Sequence, residues 1–411
     1  MFKPLIDSFN YFKCNQNYKK MLEELHSRKN TTPIRVCFLV RENQKWSYQS
    51  LYDLLVKSEE FEPVVLVSLL WLSHIGKDTT RNNLEENYNF FKEKGMNVEY
   101  AYKNGQYVDL SKFNPDIIFY DQPWDLPEIH KPETVSQFAL TCYVPYGFSI
   151  GHYEKDYTQD FHKLLFRMFL EHEYTKKRYE KINKNNSKNC VVTGLPKFDE
   201  YNKPTSSLTN LWKEPEKFKI VYAPHHSLEN NGLRFATFKQ NGQFILEYAK
   251  NHPETTWIFK PHPRFKYALL RNHIMTEAEI ERYYSDWNSI GKIHSNGNYF
   301  DVFKTSNLLL TDCCSFLAEY MPSGKPIIQI MNKNHTELSE LGNLLLKGCY
   351  SVVDTFEIED KLNFIIYNQN DDKKELRAEI AKQIFDKTKS NSEKIFNEIQ
   401  NVIFQNKTRS I

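Results

Sequence analysis

The chain has 411 residues, 40% hydrophobic and 26% charged, with 54 basic against 52 acidic side chains and a formal net charge of +2. That length suits two domains with ordinary cores, and the balance argues against a disordered chain and against a nucleic-acid binder, which would carry a clustered basic excess. Its seven cysteines are irregularly spaced and form no CxxC pair, so a disulfide framework, a structural zinc site and a redox dithiol are not expected.

In chain order, residues 5–28 read as a polar helix. Lys3, Lys13, Lys19 and Lys20 are scattered through Met1–Asn30 without the apolar stretch of a signal peptide. No apolar run reaches the ~18 residues needed to span a bilayer. A cytoplasmic protein is expected, with peripheral contact at the inner membrane face left open. Strand and helix patterns then alternate: strands at Ile34–Val40, Val64–Leu70, Asn97–Tyr102, Asp116–Tyr120 and Cys142–Pro145, and helices at Ser47–Lys57 and Asn82–Lys94. Phe161, Leu164, Leu165, Met168 and Phe169 fall on one face of a helix predicted over 161–180. The Asn-rich stretch Lys181–Lys188 (KINKNNSK) reads as a turn or domain boundary.

The alternation restarts beyond it. Strands are predicted at 191–192, 218–223, 256–260, 291–294, 307–310 and 326–330, helices at 238–251, 277–287 and from Ser315, and a Lys- and Glu-rich helical tail over 357–405. Short apolar strands alternating with amphipathic helices imply parallel sheets covered on both faces, which bind ligands at the carboxyl ends of their strands. The organisation expected is α/β of the GT-B type, two doubly wound Rossmann-like domains facing across a cleft. Their predicted extents are 1–185 and 186–385, with 386–411 as a C-terminal helix that can pack back on the first.

Five segments follow strands and can carry chemistry. In Leu308–Glu319 (LLLTDCCSFLAE), Thr311 or Asp312 can cap a helix whose first N–H groups, at Cys313, Cys314 and Ser315, would meet a phosphate. Ser315 can add a hydrogen bond, and Glu319, one turn on, can accept from ribose hydroxyls. The plain alternative is an ordinary capped helix. In Trp257–Arg264 (WIFKPHPR), Pro261 and Pro263 stiffen the loop around His262, and Lys260 and Arg264 can neutralise phosphate charge; a proline-rich surface turn is the alternative. In Val221–Ser227 (VYAPHHS), His225 and His226 can touch a ligand, and no third residue at a recognisable spacing supports a metal. In the N-terminal half, Tyr143–His152 (YVPYGFSIGH) offers Tyr146, Gly147 and His152 to the acceptor side, and Asp121 and Gln122 of Tyr120–Trp124 can line the same cleft. Thr193–Asp199 (TGLPKFD) reads as a loop opening the second domain.

Taken in order, VVTGLPKFD (191–199), IVYAPHHS (220–227), WIFKPHPR (257–264), LLLTDCCSFLAEY (308–320) and KPIIQI (325–330) resemble the CDP-glycerol glycerophosphotransferase family. These are the teichoic-acid primases and polymerases and related capsule enzymes, similar in fold to GT-B glycosyltransferases. The resemblance covers roughly residues 115–335. It implies transfer of glycerol phosphate from CDP-glycerol to a hydroxyl of a glycan or lipid-linked glycan, with release of CMP. The activated donor is a substrate, no cofactor is implied, and divalent metal dependence is left open. His262 matches the family's His-Pro histidine; Asp312, Ser315 and Glu319 match its aspartate–serine motif, where the diphosphate and ribose are expected. The chain departs from the pattern where the family's His-Gly-Thr-Pro is replaced by Val144–Gly147, its Tyr-Ser by Cys313–Cys314, and its threonine and arginine by His225 and Ser227. His262 and His152 are the candidate bases. A nucleotide-sugar glycosyltransferase and a sugar-nucleotide epimerase of the same architecture are the competing readings.

Overall fold

The computed structural model describes residues 3–28, 32–70, 77–152, 159–182, 187–205, 211–228, 232–295, 298–385 and 388–404. Part of the Lys181–Lys188 stretch lies outside them. The chain divides into two compact units: residues 1–147, 153–199 and 388–411 form the first, and residues 148–152 and 200–387 the second.

The first unit holds strands β1 (Ile34–Val40), β2 (Phe61–Val67), β3 (Val98–Tyr100), β6 (Ile117–Tyr120), β7 (Leu140–Tyr143), β8 (Arg167–Leu170) and β9 (Cys190–Val192), with a small antiparallel pair, β4 (Tyr102–Lys103) and β5 (Gln106–Tyr107). The seven long strands are parallel in the order β3-β2-β1-β6-β7-β8-β9. Their near-continuous apolar runs, buried on both faces, are what a helix-covered parallel sheet demands. The sheet order reverses between β1 and β6. There Arg41, wholly buried, donates its backbone N–H to Asp121 at 2.7 Å and a guanidinium N–H to the Gln122 carbonyl at 2.8 Å. The C-terminal helix Asn391–Phe404 belongs to this unit: Glu398 pairs with Arg167 at 3.0 Å, and Phe396 and Phe404 pack on Phe61.

Two expectations are corrected here. The helix predicted over 161–180 is a short helix Asp160–Leu164, the strand β8 and a second helix Glu173–Ile182. The same apolar spacing serves both readings. The sheet decides, because Phe166 N–H bonds to the Thr141 carbonyl at 2.9 Å and β8 fills the gap between β7 and β9. The domain division falls after Asp199 rather than at 185/186, since β9 is the edge strand of the first sheet and Asp199 accepts N–H bonds from Asn391 and Ser392. Gly194, read as opening the second domain, sits at φ +79, where a Cβ would stand 2.3 Å from Asn391 Oδ1. Only glycine fits that left-handed turn beneath the C-terminal helix.

The second unit is a six-stranded parallel sheet of β10 (Phe218–Ala223), β11 (Thr255–Phe259), β12 (Gly291–Ile293), β13 (Leu308–Thr311), β14 (Ile327–Ile330) and β15 (Tyr350–Val352). Its order is β12-β11-β10-β13-β14-β15. One face is packed by Tyr222, Trp257, Phe259, Tyr283 and Trp287, with Phe259 and Trp287 stacked at 5.2 Å. Each fully buried apolar side chain of this size contributes about 1.5–3 kcal/mol. The chain leaves β10 to one side for β11 and to the other for β13, so the crevice of this unit opens at the carboxyl ends of β10 and β13.

Candidate active site of the second unit

Register brings the motif-bearing loops to one sheet edge. Tyr222 pairs with Phe259 and Leu310, and Ala223 with Thr311, so β10, β11 and β13 end almost level. Proline and charged residues then stop each strand where the backbone turns towards its helix.

Asp312 closes the β10–β13 crevice. Its carboxylate accepts from His225 N–H at 2.6 Å, from Thr237 N–H at 2.6 Å and from the Thr237 hydroxyl at 3.0 Å. The expectation that Thr311 or Asp312 caps the following helix is therefore corrected. The helix Ser315–Tyr320 starts after Cys314, which makes no side-chain cap, and Asp312 is committed to the neighbouring loops. Burial pushes its carboxyl up to about 6, against the pull of the Thr237 and His225 N–H donors, which leaves it ionised at neutral pH. Thr311 is also engaged: its hydroxyl donates to the Ala223 carbonyl at 2.6 Å and accepts from Cys313 N–H at 2.9 Å.

Three imidazoles gather beside it. The rings of His226 and His262 stack at 3.9 Å, and His225 lies 4.4 Å from His226 and 5.7 Å from His262. Burial, the neighbouring histidines and Arg264 and Lys260 hold His262 well below the usual imidazole range; burial and Arg264 bring His226 to about 4. His225 is lowered by burial and by His226. The hydrogen bonds also choose the tautomers. Arg264 N–H donates to His262 Nδ1 at 3.1 Å, and Ser227 N–H donates to His225 Nδ1 at 3.2 Å. With Nδ1 accepting, the neutral rings carry their proton on Nε2, which becomes a hydrogen-bond donor. With Nδ1 taken by Arg264 N–H, His262, one of the two candidate bases, presents Nε2–H as a donor.

Lys260, only 7% exposed, follows β11 with its ammonium 4.4 Å from the Tyr299 ring centroid and 5.2 Å from that of Phe316. The segments KPHPR and TDCCSF are therefore neighbours through Lys260–Phe316, and APHHS meets TDCCSF through His225–Asp312. Phe316 and Leu317 N–H bond back to the Cys313 and Cys314 carbonyls, and the N–H groups of Cys314 and Ser315 face the Cys314 thiol. The helix spans six residues, too short for a large macrodipole. Cys313 Sγ lies 3.2 Å from Ser315 Oγ, and burial raises both thiols, Cys313 to about 11. Glu319, 3% exposed, receives the Tyr299 hydroxyl on its carboxylate and the Tyr201 hydroxyl on its carbonyl, at 2.6 Å for the latter.

The remaining candidates lie elsewhere. His152 is exposed and belongs to the second unit, its N–H bonding to the Glu337 carbonyl at 2.7 Å. Asp121 and Gln122 are 1% exposed, packed around Arg41, and Gln122 also receives Lys45. Tyr146 is exposed in the first unit; Lys45 sits over its ring at 5.0 Å and Lys197 donates to its carbonyl at 2.7 Å, with Gly147 half-buried beside it. Sequence reasoning missed Ser227, Thr237, His294 and Tyr299. Of these, His294 follows β12 directly, its N–H bonding the Phe259 carbonyl at 2.9 Å, and burial followed by Lys260 lowers it to about 4. Among the described residues, no group of three or more His, Cys, Asp or Glu side chains is placed to hold a metal ion, and no helix is long and apolar enough to cross a membrane.

Two doubly wound parallel α/β units, one with a basic, histidine-lined strand-end crevice, define a GT-B-like class of protein. Residues 168–336 match the model of the CDP-glycerol:poly(glycerophosphate) glycerophosphotransferase family. The resemblance read from the five motifs is borne out by that match, and with it a glycerophosphotransferase-like enzyme. Among solved structures, the wall teichoic acid polymerase TagF, as a histidine-to-asparagine variant soaked with CDPG, aligns at 12% identity over 98% of this chain and 99% of its own, with a TM-score of 0.59. The UDP-GlcNAc 2-epimerase of Neisseria meningitidis bound to UDP-GlcNAc aligns at 14% identity over 90% of this chain and 100% of its own, with a TM-score of 0.56. The UDP-GlcNAc 2-epimerase of Methanocaldococcus jannaschii aligns at 13% identity over 90% of this chain and 99% of its own, with a TM-score of 0.52. At these identities the likeness is one of fold. None of the curated protein sequences matches the chain.

Proposed function

We propose that the chain transfers glycerol phosphate, or a related polyol phosphate, from a CDP-activated donor to a hydroxyl of a poly(glycerophosphate) or similar surface polymer, releasing CMP. The observation that supports this reading is the gathering of Lys260, Arg264 and the imidazoles of His225, His226 and His262 at the carboxyl ends of β10 and β11. A diphosphate brings two negative charges and several acceptor oxygens, and this set supplies cations and N–H donors for both.

In the reaction, the acceptor hydroxyl attacks the phosphorus bearing the glycerol, the P–O bond to CMP breaks, a phosphodiester forms, and the hydroxyl proton is passed to the departing CMP phosphate or to solvent water. Such transfers depend on positioning and charge stabilisation more than on covalent help from the protein. Lys260 and Arg264 offset charge growing on the leaving CMP, and His262 Nε2–H donates to a phosphate oxygen. Asp312 acts from behind by fixing His225.

Incubation with CDP-glycerol and a poly(glycerophosphate) primer is expected to release CMP in a primer-dependent manner. Isomerisation of UDP-GlcNAc without acceptor, or release of a nucleoside diphosphate from a nucleotide sugar, would contradict the reading. Donor affinity carries a pH signature as well. The phosphates of CDP-glycerol have no proton to lose near neutrality, and the three imidazoles are held neutral, His226 to about 4 and the other two by burial and neighbouring charges. Because lowered histidines gain protons only when the pH falls towards those values, and Asp312 only near 6, Kd for CDP-glycerol is expected to be flat from about pH 7 to 8 and to rise below that as Asp312 protonates and releases His225. A Kd that already changes between pH 7 and 8 would show that the cluster is solvated and ordinary.

A further inference from the structure

We propose that Tyr299 is the positioning residue for Lys260 in the donor grip, an inference that rests on the functional reading above. Lys260 leaves β11 almost wholly buried, and its ammonium lies over two aromatic faces, Tyr299 at 4.4 Å and Phe316 at 5.2 Å. The two rings form a wedge, with centroids 5.5 Å apart and planes at 53°. A cation held over such faces is attracted by their quadrupoles, and the rings bring no formal charge of their own.

The ring of Tyr299 is itself fixed. Phe300 stacks on it at 5.2 Å and 15°, and Phe303 meets it edge-on at 5.1 Å. Its hydroxyl donates to the Glu319 carboxylate, which ties the ring to the helix Ser315–Tyr320. One side chain therefore connects the β11 loop to the helix Ser315–Tyr320, whose Phe316 offers the ammonium its second ring face. If that is its role, the ring matters for donor binding and the hydroxyl matters for stability.

Two substitutions separate these functions. Tyr299→Phe keeps the aromatic face and loses the bond to Glu319; Tyr299→Leu loses both. Both are expected to lower Tm. Tyr299→Leu is expected to raise the calorimetric Kd and the KM for CDP-glycerol about tenfold with a smaller change in kcat, and Tyr299→Phe to restore both to within about threefold of the parent. Phe316→Leu, at a half-buried position that tolerates the change, removes the other face and is expected to raise Kd by about threefold to tenfold, which gives the same reading should Tyr299→Leu fail to fold. Equal Kd values for Tyr299→Phe and Tyr299→Leu, or an unchanged Kd in Phe316→Leu, would overturn the positioning role while leaving the donor site standing. An unmutated protein that gives no heat with CDP-glycerol would overturn both.

Discussion

Replacing His262 with alanine is expected to lower kcat/KM for CDP-glycerol by about 10²–10³-fold, the usual loss when one preorganised donor to a developing oxyanion is removed. The imidazole stacks on His226 at 3.9 Å, and its Nδ1 is fixed by Arg264 N–H at 3.1 Å. Nε2–H is thus aimed before substrate arrives, and no reorganisation is needed as the transition state forms. About tenfold of the loss should appear as weaker donor binding and the rest in kcat, because charge on the phosphate oxygens rises towards the transition state. The fold should survive, since His262 is half-buried in a loop and its bond to the Pro224 carbonyl runs through its backbone N–H, which alanine keeps. Steady-state kinetics beside a thermal melt measure both. Turnover within about threefold of the parent, with Tm unchanged, would remove His262 from the reaction.

Asp312→Ala is expected to have the largest effect on stability. Deleting the carboxylate orphans the N–H groups of His225 and Thr237, on residues 6% and 5% exposed, and the Thr237 hydroxyl with them. At about 1–3 kcal/mol for each stranded donor, the second unit should lose roughly 3–5 kcal/mol. For a unit of this size that is a fall in Tm of roughly 10 °C. Donor binding should weaken too, since His225 carries one edge of the imidazole cluster. Asp312→Asn keeps one acceptor oxygen and should lie between the two. An alanine variant that melts within about 2 °C of the parent would show that water replaces the carboxylate and that the crevice is looser than its hydrogen bonds imply.

The first unit uses the same device at the same place in its sheet. Asp121 follows β6 and accepts the backbone N–H of Arg41 after β1, just as Asp312 follows β13 and accepts that of His225 after β10. In the first unit the guanidinium of Arg41 fills the crevice; in the second, buried His225 and half-buried His226 and His262 line it. Two sheets of like order thus end in a plugged switch point and a lined one.

Much of this was legible in the sequence. Apolar runs ending in Lys260-Pro-His-Pro, Ala223-Pro-His-His and Thr311-Asp-Cys-Cys placed the chemistry at strand ends, because a buried parallel strand must be apolar and must stop where polar residues start. What was not legible depended on partners far along the chain. The spacing 161, 164, 165, 168, 169 fits a helix until β7 and β9 claim Arg167–Leu170 for the sheet. A carboxylate three residues before a helix looks like a cap until Thr237, 75 residues earlier, takes it. Asp121 and Gln122 look like cleft residues until Arg41, some 80 residues upstream, closes over them. Tyr299 meets Glu319 across 20 residues with no local pattern to announce it.

The measurement that bears most directly on the donor site is calorimetric titration of the full chain with CDP-glycerol, beside the variants Lys260→Ala and His262→Ala and with UDP-GlcNAc as the competing nucleotide. Saturable binding of CDP-glycerol, weakened at least tenfold by each substitution and not matched by UDP-GlcNAc, is the expected result. Binding of CDP-glycerol that neither substitution alters would place the diphosphate somewhere other than the β10–β13 crevice and would contradict the account.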